Sequence, residues 1–185
     1  MTLHTSHKDL IMSATAAAAP VELRTRSGVS LFVRPAAPDD APLLVAFFEQ
    51  VSAEDLRFRF LSAVHHVPAG QIEAMVDIDH QRSENFLAFD AQGEMVATAV
   101  LGCDAALDTA EVAIAIRRDR KGQGIGWTLL EHVAREAKSR GIKRLQSIES
   151  RDNHSAIELE REMGFVAREC PDDPSLMLLE IHFGG

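Results

Sequence analysis

The chain has 185 residues, 46% of them hydrophobic, with 28 acidic against 19 basic side chains and a formal net charge of -9. This is the length of one ordinary domain with material for a real core, and a pI near 5.3 excludes a general nucleic-acid binder, which needs a basic face. No apolar run approaches the roughly 20 residues that cross a bilayer, and two cysteines, Cys103 and Cys170, outside any C-x-x-C, argue for reduced thiols in the cytoplasm rather than a disulfide or zinc framework.

Residues 1–20 lack a continuous apolar stretch after a basic start, so a signal peptide is rejected and a disordered leader is expected. "VELRTRSGVSLFVRPA" predicts two short strands around Ser27-Gly28. Asp39 or Asp40 then caps a helix that carries Leu43, Leu44, Phe47 and Phe48 on one stripe. "SAEDLRFRFLS" opens with a capping-box pattern, Ser52 to Asp55, and predicts a second helix. "AGQIEAMVDI" is a third. "NFLAFD" and "MVATAVLGCD" read as strands about Gln92-Gly93, and "EVAIAI" as another strand. A helix follows from about Gly126 to Arg140, with Trp127, Leu130, Val133, Ala134 and Ala137 at helical spacing and His132 on its polar side. Gly141 is its stop. "KRLQSIES" is a strand and "NHSAIELEREMG" a short helix. "FVAREC" and "LMLLEIHF" are strands around a "PDDPS" turn. This order implies one mixed α/β sheet with helices on both faces.

The stretch "RRDRKGQGIGWTLL", Arg117 to Leu130, stands out in an acidic chain. A strand that runs into a glycine turn and a helix start is an anion site. Free N–H groups of the first turn point at the ligand, and the helix dipole adds positive charge. Glycines admit close approach of the backbone. Arg117, Arg118, Arg120 and Lys121 are expected to raise the local potential, so a pyrophosphate fits. A Walker loop fails because no Lys-Ser/Thr pair follows Gly126, and a Rossmann fingerprint fails on spacing and on its late place in the chain. An ordinary strand–helix turn remains the plain alternative.

At these residues the sequence resembles the GNAT superfamily of acyl-CoA-dependent N-acetyltransferases. Lys121 takes the place of the family's first Gln or Arg, and Gly124 and Gly126 match. "RDNHSAIELEREMGF" matches the second motif through Asn153, Ala156, Gly164 and Phe165. The similarity covers roughly residues 29–183, with 21–185 expected as a single domain. It is strongest to the GNAT domains of bacterial protein lysine acetyltransferases. The resemblance implies a mostly antiparallel twisted sheet with a splayed strand pair. It implies acetyl-CoA as cosubstrate and no metal. It assigns the cosubstrate to Ile114, Ala115 and Ile116 on the splayed strand, to Lys121, Gly122, Gln123, Gly124, Ile125, Gly126 and Trp127 in the loop, and to Asn153.

Acetyl transfer needs a neutral amine, and a lysine of pKa near 10.4 is only about 0.1% neutral at physiological pH. A base is therefore expected. Strand alternation puts Glu111, Ala113 and Ala115 on one face and Val112, Ile114 and Ile116 on the other. The resemblance makes Glu111 the base; by spacing alone it is a solvated strand-end glutamate. Asn153 reads equally as a helix N-cap and as a contact to the CoA arm. Many relatives place a tyrosine, the acid for the leaving thiolate, where this chain has Glu160, and the chain has no tyrosine. An ordinary carboxylate is ionised at neutral pH, which leaves that step to water or unassisted. His65-His66 has no partner at zinc-ligand spacing.

The function expected is direct acetylation of a primary amine, with a protein lysine side chain favoured. A small amine as acceptor and a non-catalytic acyl-CoA-binding module are the alternatives. Neither nucleic acid nor membrane is an expected partner. A monomer and a homodimer both stay open.

Overall fold

The computed structural model describes residues 19–184, so the expected leader lies almost wholly outside the described residues. The chain opens with the hairpin β1 (Val21–Arg24) and β2 (Ser30–Pro35). Helices α1 (Ala41–Phe48), α2 (Ala53–Phe60) and α3 (Ala69–Val76) follow. Strands β3 (Ser83–Phe89), β4 (Met95–Cys103) and β5 (Thr109–Ile116) form a meander. The chain ends with α4 (Ile125–Ser139), β6 (Arg144–Ser150), α5 (His154–Glu162), β7 (Val166–Cys170) and β8 (Asp173–His182). The strands make one sheet of order β1-β2-β3-β4-β5-β6-β8-β7. Each pairing is antiparallel except β5 with β6.

Both sheet faces are covered, as the mixed pattern predicts. On one face Ile125, Leu129, Leu130 and Val133 of α4 pack with Leu101 and Val112. On the other, Leu44, Phe47, Phe48, Leu56, Ile72 and Met75 from α1, α2 and α3 pack with Leu87, Met95 and Ala115. Val112 and Ala115 thus belong to opposite layers, which is the alternation expected of β5. Ser52 caps α2, its side chain accepting the Asp55 N–H.

Three local expectations are corrected. Asp40 stands at the start of α1, but its carboxylate makes no cap. It is held by Arg34 at 2.7 and 2.8 Å and by the Ala37 N–H at 2.8 Å, because a bidentate guanidinium outcompetes a helix N–H. His132 is buried, 7% exposed, with its ring 5.1 Å from that of Phe86. The stripe of α4 is wide enough to take it in, and burial lowers its pKa. "PDDPS" is not all turn, since β8 already begins at Asp173, opposite Cys170. Pro174 falls beside the bulge and in neither ladder, where its missing N–H costs nothing.

Candidate active site

β5 and β6 pair over three positions, Thr109 with Arg144, Ala110 with Leu145 and Glu111 with Gln146. Beyond Glu111 they part. β5 runs on to Ile116 while still paired with β4, and β6 runs on to Ser150 while paired with β8. The segment from Val112 to Ile116 therefore carries backbone N–H and C=O groups on one edge that no strand among the described residues satisfies. A cavity of about 310 Å³ fills the opening. Val112 to Ile116 line it on one side, Ile148, Glu149 and α5 on the other, and the glycine loop closes one end.

The loop is shaped by its glycines. Gly124 sits at φ +78° as the N-cap of α4, in the left-handed region that glycine favours. A Cβ there would lie 3.4 Å from the Thr25 Cβ, and one at Gly126 would lie 3.3 Å from Ile116 Cδ1 and 3.5 Å from Leu159 Cδ1. The first bond of the helix ladder is Thr128 N–H to Gly124 O. The N–H groups before it are the free donors of the first turn. Thr25 to Gly28, the turn of the first hairpin, seats against this loop. Ser27 Oγ donates to Gln123 O at 2.6 Å, and the Arg26 guanidinium stacks 4.0 Å above the Trp127 ring.

The basic run does less for the anion site than its composition promises. Arg117 is buried and bonds Asp119 at 2.7 Å. Arg118 donates to the carbonyls of Gln50 and Glu49 at 3.2 and 2.8 Å. Arg120 pairs with Asp90 at 2.7 Å, and Lys121 with Asp55 at 2.8 Å. Only Arg120 and Lys121 border the cavity. The other two anchor the loop to its scaffold.

Ile114, Ala115, Ile116, Lys121, Gly122, Gly124, Ile125, Gly126, Trp127 and Asn153 all line the cavity. Gln123 does not. It steadies the loop, with Oε1 accepting from Arg120 Nε at 3.1 Å. Glu111 is exposed, at the last paired position before the strands part. Asn153 is at the start of α5 but its side chain makes no cap bond; its Oδ1 faces the Ser155 hydroxyl at 3.5 Å and its Nδ2 donates to Glu149 Oε2 at 2.8 Å. The cavity wall also holds three residues to which the sequence pointed weakly or not at all. Arg59 of α2 is one, flanked by the charges of Glu111 and Glu149, with a buried Nε that has no hydrogen-bond partner among the described residues. Glu149 is the second. Glu160 is the third, 5% exposed and accepting from the Ser147 hydroxyl. Arg57 and Arg59 alternate with Phe58 and Phe60 on α2, which was a signal that one arginine must face inward.

A strand pair that opens beside a glycine loop and a helix start is also found in known proteins. Residues 49–165 match the Acetyltransferase (GNAT) family, more than half of the chain. The chain belongs to this family. An acetyltransferase of Pseudomonas aeruginosa is 26% identical over 154 residues, which is 82% of this chain and 83% of that protein. The crystal structure of the GNAT domain of S. lividans PAT superposes with a TM-score of 0.82 at 28% identity, covering 89% of this chain and 97% of the other. Spermidine N-acetyltransferase from Vibrio cholerae, in complex with CoA and spermine, gives a TM-score of 0.69 at 16% identity over 82% of this chain and 95% of that one. That last likeness is one of fold.

GNAT enzymes transfer acetyl from acetyl-CoA to an amine, and the residues present fit such a donor. The loop offers free N–H groups with no side chain in the way, suited to a pyrophosphate. The parted edge of β5 has N–H and C=O groups that an amide-bearing arm could pair with, and Ile114, Ile116 and Leu159 would give such an arm an apolar bed. Among the described residues no helix is long and apolar enough to cross a membrane.

Proposed function

We propose that this protein acetylates lysine side chains of other proteins, in the cytoplasm, with Glu111 as the base. The parting of β5 and β6 just after Glu111 is the observation that carries the reading. It sets a carboxylate at one end of an unsatisfied strand edge whose other end meets the anion loop. The likeness to the GNAT domain of S. lividans PAT, over nearly the whole of both chains, supports the protein acceptor over a small amine.

Each residue then has a task. The first-turn N–H groups around Gly124 and Gly126 hold the pyrophosphate of acetyl-CoA. Free N–H groups between Ile114 and Ile116 hold the arm and meet the charge that develops on the acyl oxygen. Glu111 takes the proton of the incoming ammonium, which makes the scarce neutral amine available at the thioester. The acyl group passes straight to nitrogen, with no covalent enzyme adduct. The acidic balance of the chain favours encounter with a cationic acceptor.

The test is acetyl-CoA turnover, read as free thiol, against a panel of small amines and lysate proteins, with acetyl-lysine sites mapped by mass spectrometry. Lysine acetylation of proteins with little turnover of free amines is expected. Efficient turnover of a polyamine or amino acid alone would move the acceptor to small molecules. Tight acetyl-CoA binding with no thiol release would make the chain a binding module.

A further inference from the structure

The cavity wall built by β6 and α5 brings two glutamates together. Glu149 and Glu160 both line the cavity, close enough that each acts on the other's ionisation. Ser147 Oγ donates to Glu160 Oε2 at 2.5 Å, and Asn153 Nδ2 donates to Glu149 Oε2 at 2.8 Å. The strand behind them, β8, sets Met177 opposite Glu149 and Leu179 opposite Ser147. Two carboxylates in one partly apolar wall are not both ionised at neutral pH, because each repels the other and burial withholds water from both. They hold one proton between them.

The surroundings decide which one carries it. The Asn153 amide and the charge of Arg59, reaching across from α2, both favour an anion at Glu149. Glu111 of β5 acts on Arg59 in turn. Glu160 has burial and then the charge of Glu149 against ionisation, and is pushed up to about 8. Burial pushes Glu149 up to about 7. The proton therefore sits on Glu160 at neutral pH. The sequence alone predicts an ordinary ionised carboxylate there, and the packing reverses it.

A thiolate released into this cavity meets apolar side chains and the negative charge of the pair. Ionised sulfur is poorly solvated in such a place. We propose that the Glu149–Glu160 pair is the proton donor of the reaction, with Glu160, kept neutral by Glu149, protonating the sulfur as the carbon–sulfur bond breaks. This rests on the acetyl-transfer reading above. As the carbon–nitrogen bond forms, the electron pair of the carbon–sulfur bond stays on sulfur, which takes the Glu160 proton and departs as a thiol. The ammonium gives up two protons in all, each by way of Glu111. Glu160 regains one from water, and the cycle releases one.

The first test needs no ligand. Infrared spectra of the free protein between about pH 5 and about pH 10 read the carbonyl stretch of neutral carboxylic acids. The band that titrates away near pH 8 is that of Glu160 and is expected to be missing in Glu160→Gln, while the band of Glu149 grows in only below about pH 7. In turnover, Glu160→Gln lowers kcat about tenfold to a hundredfold, abolishes the alkaline fall of kcat and leaves CoA affinity by calorimetry unchanged. Glu149→Gln removes the charge that holds the proton, so the alkaline fall moves to lower pH. Absence of a neutral carboxyl at pH 7, or Glu160→Gln with wild-type kcat and an intact alkaline limb, overturns the proposal. Failure of the wild type to acetylate any amine overturns the parent reading and this one together, whereas turnover indifferent to Glu160 overturns this one alone.

Discussion

The glycine loop and the β6–α5 wall flank one cavity and treat charge in opposite ways. In the loop each cation already has a partner. Arg117 holds Asp119, Arg118 holds two carbonyls, Arg120 holds Asp90 and Lys121 holds Asp55. In the wall, two glutamates act on each other's ionisation and Arg59 leaves its Nε without a partner among the described residues. Matched charges give a rigid shape, and the attraction left for a ligand comes from backbone N–H groups and the helix dipole. Unmatched charges give groups whose protonation can change during a reaction. On the proposed reading, the basic sequence motif marks the donor's place and the acids of the wall carry the chemistry.

The contrast breaks most visibly at the loop backbone. Gly124→Glu puts a strained side chain at φ +78°, 3.4 Å from Thr25, and a like charge into the anion site. Calorimetry is expected to show CoA affinity falling about a hundredfold or more. Retained affinity would refute the phosphate cradle. Glu111→Gln is next. It should lower kcat about tenfold or more with donor affinity unchanged, a split that separates a base from a binding residue. An unaltered kcat means that the base is elsewhere.

Stability against pH sharpens the wall side of the comparison. Glu149 and Glu160 are held above the ordinary 4.5, at about 7 and about 8, so the native state keeps a proton that the unfolded chain gives up. The stability this contributes is full below pH 4.5 and is lost as pH rises through those values. The melting temperature should fall on going from about pH 6 to about pH 9, by about 2–4 °C for each kcal/mol at this chain length. Glu160→Gln should flatten the fall, and an equally steep profile in that variant would show that other groups cause it. The smallest effect belongs to the loop's cations. Lys121→Met removes a partly exposed ion pair with Asp55, worth about 1 kcal/mol, and CoA affinity should change by no more than about threefold.

Features legible in the sequence were local ones. The helix after the glycines, the Ser52 cap and the alternation of β5 each depend on neighbours within a few positions, and periodicity or capping chemistry reveals them. Pairings across the chain were hidden. Lys121 and Asp55 are 66 positions apart, and nothing near Lys121 announces that its charge is already matched. Glu149 and Glu160 look like two solvated acids until β6 and α5 lie side by side. His132 was misplaced for the same reason: the stripe of α4 shows which side is mostly apolar, but not how far Phe86 on β3 extends the buried zone.

The turn of the first hairpin has a consequence in time as well as in space. Ser27 meets Gln123 across 96 positions, and Arg26 meets Trp127 over a similar span. A contact of this reach closes only after the loop entropy between its ends has been overcome. The glycine turn can thus form with its own helix early, yet reaches its final shape only when the start of the chain arrives. An edge hairpin with an exposed Val21 is also among the parts of a fold that open most readily, so transient opening of this hairpin would loosen the glycine loop that Ser27 and Arg26 brace.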